Sequence, residues 1–293
     1  MKKILTIIGL AAATLAGVDA QLYSYDFGTG TGTFSTASTI STTFLPQPST
    51  GGGNDMVRVG TGAGSWALAN PGVATLGTGS ELVGVAPTNT SVNKFAISDF
   101  TTATSQFSMS FSMQLSGGSS GTWHMFAGDG ATFSDASTFN GAQTFMGIQW
   151  VFGTSGTITT NNRAAGAWAA VSGTPFAQST VYNVEIYGNN TSGILNYTRG
   201  TSQSTSANTY DLWVNGTLVG DNLAKAQLAT DSVIDSFMFY GVSSTGNVAT
   251  IALDNFAYGT SITAVPEPKT WALIGIGTSF MLWNLRRRRR FNV

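Results

Sequence analysis

One histidine, no cysteine and two glutamates between its terminal segments are what this 293-residue chain offers to the commonest catalytic constellations. Any Ser-His-Asp arrangement would have to be built on His124, the single histidine. Its setting, Trp123-His124-Met125-Phe126, reads as a strand beside bulky apolar residues, which is a structural position. Without cysteine there is neither a thiolate metal site nor a disulfide framework. Retaining glycoside hydrolysis needs two carboxyls across one bond, and Glu81 and Glu185 stand in no short-range carboxylate motif. The expectation is therefore that the body is not an enzyme. The alternative is a secreted glycan-active enzyme whose carboxylate pair is assembled only in space.

Oxygen ligands are better supplied. Asp and Asn suit a hard cation such as calcium. If the first and last strands pair, Asp26 and Asp254 come together as candidate ligands of a structural calcium, the one cofactor considered. Asp also favours turns for local hydrogen bonding, so Asp129, Asp135 and Asp221 are equally turn residues. Tryptophan offers a different chemistry, a flat apolar face on which a sugar ring stacks. Trp150 and Trp213 fall inside strand patterns and read as core, whereas Trp66 and Trp168 sit among Gly, Ala and Ser and are the candidate sugar-stacking residues.

The elements that must position these groups are strands. Gln106 to Leu115 alternates without a break, Phe107, Met109, Phe111, Met113 and Leu115 on one face and Ser or Gln on the other. Further runs are read at Leu22–Phe27, Met56–Val59, Lys94–Ser98, Thr144–Phe152, Val181–Tyr187, Ile234–Val242 and Val248–Ala257, separated by Gly, Ser, Thr and Asn. Asn215-Gly216 between Tyr210–Val214 and Thr217–Val219 is the signature of a type I′ hairpin turn. Residues 28 to 55 and 153 to 175 read as long loops, and only Leu223–Ala229 reads as helix. The fold class is all-β, an antiparallel sandwich of one domain over residues 21 to 264. Five basic against twelve acidic residues give this body a net charge of −7, which excludes nucleic acid as a partner because no basic footprint exists to replace counterions. From Val181 onward the chain resembles a concanavalin A-like or laminin-G-like jelly roll, on Tyr182-Asn183-Val184-Glu185-Ile186, the YDLWVNGTLV hairpin and Ile251-Ala252-Leu253-Asp254-Asn255-Phe256. The glucanases of that family carry a Glu-x-Asp-x-x-Glu motif that this chain lacks.

Both ends read as address rather than fold. Lys2 and Lys3 precede an apolar run, and Val18-Asp19-Ala20 suits signal peptidase, so residues 1 to 20 are expected to be a signal peptide cut before Gln21. At the other end Val265-Pro266-Glu267-Pro268 forms an extended linker, because two prolines within three residues forbid helix. An uncharged segment from Trp271 to Leu285 follows, ~23 Å as helix against a ~30 Å hydrocarbon core, which makes it a marginal membrane anchor. Arg286, Arg287, Arg288, Arg289 and Arg290 then hold the terminus on the cytoplasmic side. Residues 265 to 293 resemble the PEP-CTERM sorting signal of bacterial surface proteins, with its motif, transmembrane helix and arginine-rich tail. That resemblance implies an exosortase partner and a route of export, transient inner-membrane anchoring and release to the cell surface or extracellular matrix. The expected role is structural or glycan-associated, with exopolysaccharide as a candidate partner.

Overall fold

The computed structural model describes residues 22–101, 103–134 and 139–260. The expected signal peptide over residues 1 to 20, Val265–Pro268, the apolar segment and Arg286–Arg290 lie outside the described residues. In chain order the strands are β1 Leu22–Tyr25, β2 Gly32–Phe34, β3 Thr39–Ser41, β4 Asn54–Val59, β5 Ser65–Ala69, β6 Glu81–Val85, β7 Asn93–Ser98, β8 Gln106–Ser116, β9 Thr122–Gly128 and β10 Thr144–Phe152. They continue as β11 Ile158–Ala164, β12 Ala167–Ala170, β13 Val181–Asn189, β14 Leu195–Arg199, β15 Thr201–Thr205, β16 Thr209–Val214, β17 Thr217–Ala224, β18 Ser236–Val242 and β19 Thr250–Gly259. Among the described residues, helical structure is limited to three single 3-10 turns.

Two antiparallel sheets make the layers. A nine-stranded sheet runs β17-β16-β13-β8-β19-β6-β5-β2, with β1 added to β19, and an eight-stranded sheet runs β12-β11-β10-β9-β18-β7-β4-β3. The strong alternation of β8 buries Phe107, Met109, Phe111, Met113 and Leu115 in one core with Phe95, Ile97, Trp123, Met125, Ile148, Phe237 and Phe239 of the opposite sheet. A strand with one apolar face is stable only when that face is covered, so the two alternating sets close on each other as a β-sandwich. At the Asn215-Gly216 turn both residues take the positive φ of a type I′ hairpin, 47° and 80°.

Three expectations are corrected. The loop expected over 153 to 175 contains β11 and β12, and that over 28 to 55 contains β2, β3 and the start of β4. In β11 the buried inward positions are Ile158, Thr160 and Asn162, so after Ile158 the inward face turns polar and the apolar alternation stops. Leu223–Ala229 is not helical: Leu223 and Ala224 end β17, and the following turn hydrogen-bonds Ala226, Gln227 and Leu228 to the carbonyls of Phe145 and Thr144.

Candidate functional site

The outer face of the eight-stranded sheet concentrates the unusual side chains. Strand register sets a continuous row across six strands: Arg58 on β4, Lys94 on β7, Tyr240 on β18, His124 on β9, Gln149 on β10 and Asn161 on β11. At ~4.8 Å between neighbouring strands the row spans ~24 Å. One pleat along lie Met56, Ala96, Met238, Phe126, Gly147 and Arg163, then Trp168 on β12. The segment after β9 lays Phe133 and Phe139 over this row.

His124 is buried, and burial pushes its imidazole down to about 4, so the ring is neutral near pH 7. Its Nδ1 lies 3.2 Å from the Tyr240 carbonyl, which only accepts, so the proton sits on Nδ1. Nε2 then accepts from the Gln149 amide at 3.1 Å, and Gln149 Oε1 accepts from Asn161 at 2.8 Å. Both imidazole nitrogens are engaged, and the ring supports the half-buried Trp168 at 5.2 Å between centroids. Phe139 and Tyr240 are also half-buried, so three aromatic rings keep part of their surface open to solvent. The Arg163 guanidinium lies between Phe139 and Trp168, 5.2 and 5.3 Å from the ring centres. Lys94 is buried and its ammonium donates to the carbonyls of Thr132 and Ser134, tying down the covering segment.

Acidic groups gather at one end of the same sheet. Asp99 follows β7, Asp129 follows β9 and Asp235 precedes β18, with Asp235 N–H on the Gly128 carbonyl and Phe100 N–H on that of Asp235. Burial first, and then Asp129 and Asp99, push the Asp235 carboxyl up to about 6. The opposite outer face is organised differently. There Glu185 takes a two-point ion pair from Arg199, at 2.7 and 3.0 Å, while Arg199 stacks on Trp213.

The other residues singled out from sequence fall as follows. Trp66 is fully buried in β5, edge-on to Trp123 at 5.4 Å and seated on Gly84, so it presents no face to a sugar and is corrected to a core residue. Its Gly, Ala and Ser neighbours mark room for the ring rather than exposure. β1 does pair with β19, which brings the exposed Asp26 close enough to Asp254 for its charge to act on the buried carboxyl. Asp254 Oδ1 is buried without a partner. Glu81, nearby, caps the N–H groups of Ala74 and Leu76 with its two oxygens. Among the described residues no group of three Asp, Glu or His side chains is placed to hold a metal ion. Calcium takes six to eight oxygens, of which Asp26 and Asp254 would supply at most four, the remainder falling to carbonyls and water. The Arg163 and Gln149 contributions were invisible in sequence, where each stood in a strand or loop without any local motif.

No protein-family model and no curated protein matches the sequence. Among solved structures the chain is similar to an alginate lyase in complex with an alginate tetrasaccharide, at 16% identity over 63% of this chain and 82% of that one, with a TM-score of 0.38. It is similar to a marine alginate lyase from Zobellia galactanivorans at 12% identity over 62% and 77%, TM-score 0.40. A cellulose-induced protein aligns at 14% identity over 77% and 91%, TM-score 0.43. Likeness at this level assigns neither family nor activity. The expectation that the body is not an enzyme is corrected on this chain's own geometry: Asp99, Asp129 and Asp235 gather in space at one end of the eight-stranded sheet, so a missing linear carboxylate motif excludes nothing. Among the described residues no helix is long and apolar enough to cross a membrane.

Proposed function

We propose that this chain is an exported cell-surface or matrix protein that holds a polysaccharide against the outer face of its eight-stranded sheet. The observation that carries the reading is the partly open aromatic strip of Trp168, Phe139 and Tyr240 beside a row of amide, imidazole and guanidinium groups. Apolar ring faces stack on sugars, and the amides beside them suit hydroxyl groups. The two terminal segments support the export route: a signal peptide over 1 to 20, and a PEP-CTERM-like signal at 265 to 293 to be cut by an exosortase. A jelly-roll sandwich in this position would be a ligand module carried to the surface by that signal.

The test is binding of the full-length chain, in a non-ionic detergent, to the host's own exopolysaccharide. Trp168→Ala is expected to weaken binding about tenfold, the loss of one stacked face. Wild-type affinity in that variant would overturn the reading.

A second reading is favoured by Asp235. A carboxyl held up to about 6 retains protons near neutrality, as a general acid must, and Asp99 and Asp129 lie close enough to act on it. This is the spatially assembled carboxylate set of a glycan-active enzyme. The same samples, assayed for newly formed chain ends, decide it: new ends would establish cleavage, and binding without them would leave the holding role.

A further inference from the structure

Arg163 is an unusual cation. It stands on β11 opposite Trp168 of β12, and on its other side Gly147 of β10 leaves room for its stem: a Cβ at Gly147 would lie 3.0 Å from that of Arg163. Aromatic rings flank the guanidinium on two sides. It forms no ion pair and no hydrogen bond with any described residue, and its Nε is buried without a partner. Guanidinium carries five N–H donors in a planar fork, stays charged at all accessible pH, and is costly to desolvate when unpaired. Burial here already pushes its pKa down from the usual value.

The charge pattern around it is equally directed. Twelve acids stand in the body, yet Arg163 is paired with none of the described ones, and no outward strand position of this sheet carries Asp or Glu. His124, the nearest titratable ring, is neutral. Against the opposite sheet, Arg199 of the separate two-stranded β14-β15 sheet, also stacked on a tryptophan, has its carboxylate in Glu185 of β13. Among the described residues the same guanidinium-on-indole unit thus occurs twice, once with a protein carboxylate and once without.

We propose that the carboxylate missing at Arg163 is supplied by the ligand, and that the polysaccharide held on this face is a polyuronate. This rests on the glycan-binding reading above and names its substrate class. A sugar ring lying on Trp168 places a ring-borne carboxylate within reach of the guanidinium beside it, and the fork matches the two oxygens of a carboxylate. A neutral glucan would leave the buried Nε–H unanswered.

The experiment compares polygalacturonate, its methyl ester and dextran as probes for the full-length chain, at low and high salt. Wild type is expected to bind polygalacturonate at least about tenfold more tightly than the ester, which removes the charge and keeps the sugar, with the preference reduced by salt. Arg163→Gln should abolish the preference, bringing polygalacturonate binding down to the level of the ester, and Arg163→Lys should restore only part of it, because the charge returns without the fork. Trp168→Ala should weaken both. Equal wild-type affinity for acid and ester, or an undiminished preference in Arg163→Gln, overturns the inference and leaves glycan binding standing. Binding to none of the three probes overturns the inference, and the glycan reading then stands or falls on the host exopolysaccharide.

Discussion

The buried carboxyls give single residues a measurable signature. Burial pushes the Asp254 carboxyl up to about 6, with Asp26 and Glu81 adding to the rise and the Asn255 N–H opposing it. The unfolded carboxyl titrates near 3.8, so between about 4 and about 6 the folded state keeps a proton that the unfolded state has lost. The sign follows: this group stabilises the fold fully at low pH, and its contribution is lost as pH rises through about 6. Asp254→Asn is expected to remove that part of the pH dependence, so that the urea midpoint of the variant gains on wild type from about pH 4 to pH 7. A constant difference across that range would refute the assignment. Calcium that raised the wild-type midpoint at pH 7, but not that of Asp254→Asn, would support the metal reading of Asp26 and Asp254. Little of this was legible beforehand. The meeting of Asp26 and Asp254 was read only on the condition that the first and last strands pair, which they do, but whether the carboxyls would meet a third acid, an amide or nothing depends on Glu81, which turns to the Ala74 and Leu76 amides.

Among elements, legibility tracked the polarity of the inward face. β8 and β10 were readable because apolar residues fill their inward positions, whereas β11 hides Thr160 and Asn162 there and looked like loop. β5 was missed for a related reason. Its Trp66 lies against Gly84 of β6, and a Cβ at Gly84 would approach the indole to 2.5 Å and that of Trp123 to 2.8 Å. The bulk at one strand is matched by an absence at the next, a relation between β5 and β6 that no window along either strand displays. Gly84→Ala is therefore expected to destabilise the sandwich by about 1–3 kcal/mol through overpacking. The measurement is chemical denaturation, and a stability equal to wild type would show that the Trp66–Trp123 pair shifts freely. The aromatic strip depends on an element of the same hidden kind, since Trp168 is carried by the edge strand β12, which pairs only with β11 within its sheet.

For the whole molecule, the body and its address are separate problems. If residues 265 to 290 direct sorting, replacing Arg286–Arg290 with neutral residues should leave less protein retained at the membrane and less with a matured C-terminus. Unchanged retention and an unchanged C-terminal mass would refute that route, whatever the sandwich binds. By itself the sequence determined the all-β class, the long central strands, the Asn215-Gly216 hairpin and the acidic balance of the body. Each is a local pattern, a period of two, a dipeptide or a count, and survives any arrangement of distant parts. Only the tertiary structure decided that Trp66 is core, that Arg163 lies between Phe139 and Trp168 without a carboxylate among the described residues, and that His124, Gln149 and Asn161 form one chain of hydrogen bonds. The hydrogen-bond chain joins residues up to 37 positions apart, from His124 to Asn161, and strand register brings its three members onto one face.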